Sequence, residues 1–173
     1  HDPMVESGAT DLYMERLGLL GIREKLEDRS LGRGKVEFAY QTQKMYAFLD
    51  SGNLCQFVFG PAWNLYGPAE TVEVVRAITG WDDFSIDEMQ TIGDRRLALL
   101  RLFNQREGLS RKDDKLPKKF FKALGGSGPT AGVALDEAEI EAAKDMYYEM
   151  AGFDRDGKVT AERLEALGLG GML

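Results

Sequence analysis

One side chain, Cys55, carries the most chemistry in this sequence. It sits in Leu49-Asp50-Ser51-Gly52-Asn53-Leu54-Cys55-Gln56-Phe57, between a helix-like stretch and an apolar, aromatic run. Cys55 is the only cysteine. It forms no disulfide within the chain, and one thiolate does not make a structural metal site. Two readings stand. Cys55 is a small buried hydrophobe, or it is one ligand of a site whose other ligands lie elsewhere. Asp50, Ser51, Gly52 and Asn53 ahead of the thiol raise the second reading and leave both open. Such a turn lets backbone approach a bulky inorganic group and aims amide N–H groups at it, which stabilises a thiolate.

Other constellations have plainer readings. Phe153 to Thr160 resembles part of a calcium loop, with Asp154, Asp156 and Gly157 at loop positions three, five and six. Position one is then Gly152 and position twelve Arg163, where the ion needs an acid and a bidentate Glu. The segment is expected to be an Asp-Gly turn with Thr160 capping the next helix. The Gly-Gly-Ser-Gly-Pro run at 125–129 lacks the Gly-Lys-Ser/Thr ending and preceding strand of a phosphate loop. It reads as a linker or small boundary. Glu107, Asp113 and Asp114 could suggest acid–base chemistry, but carboxylates in a charged loop are ordinarily solvated. His1 is the only histidine. No Cys–His or Ser–His nucleophilic pair and no zinc site is expected.

The elements that position these residues are helical. Leu12, Leu17, Leu19, Leu20, Ile22 and Leu26 suggest one or two helices interrupted near Gly18 and Gly21. Ser30 to Gly34 reads as a loop. From Lys35, the residues Phe38, Ala39, Thr42, Met45, Tyr46 and Leu49 recur at three- and four-residue steps, and Ser51-Gly52-Asn53 ends that helix. Pro61 and Pro68 bracket an aromatic loop, Trp63 to Gly67. Ala69 to Thr79 is a short helix stopped by Gly80. Ser85 and Glu88 form a capping box. The helix behind it runs to about Glu107, with Met89, Ile92, Leu99, Leu102 and Phe103 facing inward. Asp136 to Ala151 is a further helix, with Ile140, Ala143, Tyr147 and Met150 in one stripe. A last helix, capped by Thr160, stops at Gly168. No strand is convincing, so the fold class is all-α and multi-helical.

Composition narrows the function. The 173 residues are 43% hydrophobic, enough for a core, and the net charge is −7 with one cysteine. That balance argues against nucleic acid, whose phosphates require clustered cations. No apolar run approaches the roughly 20 residues of a membrane span, and no signal peptide is visible. A cytoplasmic setting is expected. The opening His1-Asp2-Pro3 reads as a cut inside a longer polypeptide.

Three segments resemble the C-terminal part of the tungsten-containing aldehyde ferredoxin oxidoreductase family. The first runs from Gly34 to Phe57 and is similar to a helix leading into an Asp-x-x-Gly-Leu-Cys motif. The second, Gly93-Asp94-Arg95-Arg96 through Leu102-Phe103-Asn104-Gln105-Arg106-Glu107-Gly108, continues into Arg111-Lys112-Asp113-Asp114-Lys115-Leu116-Pro117. It is similar to the family's Arg-x-Phe-Asn-x-Arg-Glu-Gly and Arg-x-Asp-Asp-x-Leu-Pro signature. The third is Gly152 to Leu169. The resemblance implies an enzyme that oxidises aldehydes to carboxylic acids at a tungsten (or molybdenum) bis-pterin. Electrons pass through a 4Fe-4S cluster to ferredoxin. It implies Cys55 as one cluster ligand and Asp50 as a pterin contact, and carries over no catalytic residue. Asn53 stands where the motif has Gly, with Gly52 one place early.

Residues 1–173 are then the helical C-terminal region of a larger oxidoreductase, with a sub-boundary at the 125–129 loop and the N-terminal pterin-binding domain absent. The missing part of the same polypeptide is the first partner. The chain alone is expected to bind neither cofactor and to be inactive. It is also expected to expose an apolar patch from Cys55 to Tyr66 and to cover it by homo-oligomerisation. The alternative is a non-catalytic helical interaction module that has lost its metal sites.

Overall fold

The computed structural model describes residues 10–24, 26, 31–60 and 65–172. His1, Asp2, Pro3, Ser30, Pro61, Trp63 and Asn64, named above, lie outside them. The α-helices in chain order are α1 (Thr10–Leu19), α2 (Arg33–Ser51), α3 (Gln56–Phe59), α4 (Pro68–Thr79), α5 (Ile86–Arg106), α6 (Glu137–Ala151) and α7 (Ala161–Ala166). Short 3-10 turns occupy Arg111–Asp113, Lys118–Phe121 and Gly170–Met172. Among the described residues the nearest approach to a sheet is one antiparallel bridge, Phe153 to Val159. The all-α expectation holds.

The pair α2–α5 forms the spine. Gln90 Nε2 donates to the Gln41 carbonyl at 3.3 Å, and Arg96 Nη1 to the Ala47 carbonyl at 3.0 Å. Between them Gly93 lies on Lys44, where a Cβ would overlap the Lys44 carbonyl oxygen. The contacts advance three residues on each helix together, so α2 and α5 run in the same direction. A parallel pair needs a long return connection, and residues 52–85, with α3 and α4, supply it. The main core gathers Met45, Phe48 and Leu49 of α2, Val72 of α4, Phe84 and Met89 around this spine, with Tyr13, Leu17, Leu20 and Ile22 from the first helix and its exit. Burying side chains of this size contributes about 1.5–3 kcal/mol each. A second cluster joins Ala98 to Val159, Leu164 and Leu167.

The inner face of α5 departs from the expected stripe. Leu99 and Phe103 are exposed, Phe103 at 58%, while Gln90, Gly93, Asp94 and Ala98 are buried with Met89. The reason is the close approach at Gly93, which rotates polar and small residues into the seam. The Asp94 carboxylate is satisfied there, whereas Gln90 bonds through Nε2 alone and its buried Oε1 has no partner among the described residues. Tyr40 Oη donates to Asp94 Oδ1 at 2.7 Å, and Arg163 Nη2 donates to Asp94 Oδ2 and to Tyr40 Oη. This triad ties α2, α5 and α7 together. Ala39, placed on the inner face of α2, is exposed.

Capping is largely as the residues dictate. Ser85 Oγ accepts from the Glu88 amide at 3.1 Å, but the Glu88 carboxylate turns to Arg95 instead of closing the box. Asp136 accepts from the amides of Ala138 and Glu139, and Thr160 from that of Arg163. The helix α3 was absent from the sequence reading, which had no period to see in four residues.

Candidate functional site

Helix α2 ends in a turn that sets both candidate residues. The Leu54 amide donates to the Leu49 carbonyl at 2.8 Å, and the Asn53 amide to the Asp50 carbonyl at 3.4 Å. This nested pair is the Schellman ending, which requires a left-handed residue between the helix and its exit. Asn53 is that residue, at φ +54°, the one non-glycine with positive φ among the described residues. Asparagine tolerates this region better than other side chains. Gly52 keeps ordinary negative φ at −86°. The displaced glycine therefore leaves the turn intact. Leu54 packs back on the core beside Leu49, the apolar contact that accompanies this ending.

The turn delivers Cys55 to the surface. Its thiol is free and exposed, so the buried-hydrophobe reading fails. Cys55 caps α3, and its carbonyl accepts from Val58 and Phe59 at 2.9 and 3.0 Å. Phe59 is drawn inward and stacks on Tyr66 at 5.6 Å, while Phe57 and Leu65 stand 63% and 71% exposed. The described part of the expected apolar patch is thus open.

Asp50 lies on the last turn of α2, exposed. Arg96 of α5 reaches it, Nη1 to Oδ2 at 3.0 Å, with the same Nη1 on the Ala47 carbonyl. Arg96 fixes the carboxylate against the helix end. Sequence reading missed this partner because the α2–α5 register is a tertiary fact. A carboxylate accepts about four hydrogen bonds, so the Arg96 contact leaves Asp50 able to receive further N–H donors.

The charged signature downstream is a brace. Arg101 Nη1 donates to Asp114 Oδ1 at 3.0 Å, Tyr148 Oη donates to Asp114 Oδ2, and Lys144 Nζ donates to the Asp114 carbonyl at 2.9 Å. Burial works to raise the Asp114 carboxyl. The hydrogen bonds from Arg101 and Tyr148 outweigh it and hold the group below the ordinary carboxylate range. Burial first, then the bond to Asp114, pushes Tyr148 up to about 12. Arg111 bonds Glu141 and Asp145 of α6. Asp113 accepts from the Ser110 amide at 2.9 Å. Asp114 is therefore not merely solvated; with Arg111 it locks the exit of α5 to α6, while exposed Asp113 caps its own turn. In the calcium-like loop, Asp154 Oδ1 accepts from the amides of Asp156 and Lys158 at 2.9 and 2.8 Å, the expected turn.

Residues 4–169 match the family model described as aldehyde ferredoxin oxidoreductase, domains 2 and 3. The chain belongs to this family. It is 32% identical over 159 residues to the tungsten-containing aldehyde ferredoxin oxidoreductase of Pyrococcus furiosus, covering 91% of this chain and 25% of the relative. The Pyrococcus horikoshii enzyme of the same name is 33% identical over the same share. The aliphatic sulfonate oxidoreductase, WOR-like subunit, of P. furiosus is 32% identical over 136 residues, 76% of this chain and 21% of that one. The chain spans about a quarter of these relatives. Among solved structures, the active-site complex BamBC of benzoyl coenzyme A reductase, in complex with 1,5-dienoyl-CoA, shares the fold at TM-score 0.64 and 20% identity, over 84% of this chain and 20% of that one.

As a family member the chain fits the family's metal groups only in part. An exposed thiol is the donor that iron–sulfur clusters take, and Asp50 is an open acceptor. Among the described residues no group of three or more His, Cys, Asp or Glu could hold a metal ion. Cys55 is an exposed thiol and Asp50 an exposed carboxylate with acceptor capacity left beside Arg96. No described helix is long and apolar enough to cross a membrane.

Proposed function

We propose that this chain is the helical closing part of an aldehyde:ferredoxin oxidoreductase, with Cys55 donating one thiolate to a 4Fe-4S cluster and Asp50 accepting an N–H from a pterin. The observation that carries the reading is the exposed Cys55 thiol on a Schellman turn one step beyond an Asp50 carboxylate anchored by Arg96. When bound, a tungsten (or molybdenum) bis-pterin supplies the oxidation of aldehyde to carboxylic acid, and the cluster carries the electrons toward ferredoxin. The chain's own part is positional. The left-handed Asn53 aims the thiol outward, Arg96 holds the carboxylate, and the Asp114 brace stiffens α5 behind them. The remaining ligands belong to the missing N-terminal part of the polypeptide. The exposed Phe57 and Leu65 support burial against that part or a second copy.

Anaerobic reconstitution with iron and sulfide tests this. The isolated chain is expected to hold no stable cluster, and full-length protein carrying Cys55→Ala is expected to lose cluster iron and its visible absorbance. A stoichiometric cluster on the chain alone, or undiminished iron in the full-length variant, would overturn it.

A further inference from the structure

Asp50 stands where a helix does not favour it. It lies in the last turn of the 19-residue α2, at the negative end of the helix dipole, and that turn holds no basic residue. The compensating cation comes from another helix. Three rungs join α2 and α5 in step: Gln90 to the Gln41 carbonyl, Gly93 on Lys44, and Arg96 to the Ala47 carbonyl. The close approach at Gly93 brings Arg96 within reach of both the helix end and the carboxylate. Its Nη1 lies 3.0 Å from the Ala47 carbonyl and 3.0 Å from Asp50 Oδ2. Ser51 Oγ donates to the same carbonyl at 2.9 Å. One nitrogen thus joins the last turn of α2 to the carboxylate that the turn carries.

The pair does little for the fold. Its side chains are 34% and 59% exposed, and ion pairs so placed add little stability. What the pair fixes is geometry. Oδ2 is taken by the guanidinium, leaving the acceptor capacity of Oδ1 for a ligand. An unpaired carboxylate would turn and have to be ordered as the ligand binds. Ordering it beforehand removes that cost from binding.

We propose that Arg96 is a positioning residue for the pterin. It acts through Asp50, setting in advance the carboxylate that accepts the pterin N–H, and does not itself touch the group. The inference rests on the pterin reading of Asp50 given above.

The test uses full-length protein purified with its pterin. Release of pterin into buffer is followed by the fluorescence of its oxidation product, with cluster iron and a circular-dichroism melt measured alongside. Arg96→Met is expected to speed release about ten-fold, the size usual for a residue that orients a ligand, and to leave cluster iron unchanged. Arg96→Lys restores the cation and is expected to release within about three-fold of the parent rate. The double variant Asp50→Asn/Arg96→Met is expected to release pterin no faster than Asp50→Asn alone, because Arg96 acts through Asp50. If Arg96→Met does not fold, Arg96→Gln, which keeps a donor for the Ala47 carbonyl, takes its place under the same expectation. Unchanged release in Arg96→Met beside faster release in Asp50→Asn would overturn this inference and leave the Asp50 reading standing. Unchanged release in Asp50→Asn would overturn both. Additive acceleration by the two substitutions would mean a direct contact, and loss of cluster iron in step with pterin would mean a merely structural role; either overturns the positioning role.

Discussion

Asp94→Asn tests the central joint of the fold. The Asp94 side chain is 11% exposed and its charge partner Arg163 22%. Asparagine keeps the shape and one acceptor for Tyr40 but removes the anion that faces the guanidinium. Breaking a buried pair from one side costs about 3–5 kcal/mol. Partial exposure of Arg163 and the retained acceptor reduce that to about 2–3 kcal/mol. For a chain of this length each kcal/mol moves Tm by about 2–4 °C, so a fall of about 5–10 °C is expected in a circular-dichroism melt. Replacing both partners, Asp94→Asn with Arg163→Met, removes the stranded cation. The double variant should recover about 1.5–3 kcal/mol relative to the sum of the singles. Loss below about 0.5 kcal/mol in Asp94→Asn, or strictly additive singles, would refute the claim that this triad ties three helices.

Three further outcomes follow from the geometry. Gly93→Ala places a methyl on the Lys44 carbonyl and should cost about 1–3 kcal/mol in urea unfolding, whereas Gly125→Ala, with open space around it, should cost almost nothing. Asn53→Gly should be neutral or stabilising by a few tenths of a kcal/mol, and Asn53→Val should cost about 1–2 kcal/mol because a branched side chain resists positive φ; equal stability of the two would argue against the Schellman turn. Tyr147 and Tyr148 are both raised to about 12, chiefly by burial. A raised folded pKa gives stability that is full below the ordinary tyrosine value near 10 and lost as pH climbs through about 12. Tyrosinate absorbance and ellipticity should therefore change together between about pH 10 and 12, and Tyr148→Phe should soften that transition; ionisation of all tyrosines near pH 10 with no unfolding would contradict it.

Much of the helix order was legible because local signals fix it. Ser85, Asp136 and Thr160 name their own caps, Gly80 ends α4, and three- and four-residue apolar steps run through α2. The face of α5 was not legible. Leu99 and Phe103 look like core by spacing, but the orientation is set by Gly93 pressing on α2, and nothing local encodes that. For the candidate site, the motif singles out Asp50 and Cys55, and both are exposed at the end of α2 and just beyond it. Arg96 could not be found that way, because its value depends on a partner helix 49 residues away in register. The Asp114 brace shows the converse: acids that look solvated in a charged loop are drawn into bonds by Arg101 and Tyr148, which lie 13 and 34 residues off.

The parallel setting of α2 and α5 also has a consequence in time. Their contacts join residues 49 apart, so α2 leaves the ribosome well before the helix that seats it. At about 5–20 residues per second, that interval is roughly 3–10 s. During it the Lys44 ridge and the carboxylate of Asp50 have no α5 to meet, and the thiol that follows is already outside. Nascent chains stalled before and after residue 96 should differ sharply in protease sensitivity at α2. The order of synthesis thus gives the Asp50–Cys55 turn a period of life before the scaffold behind it exists.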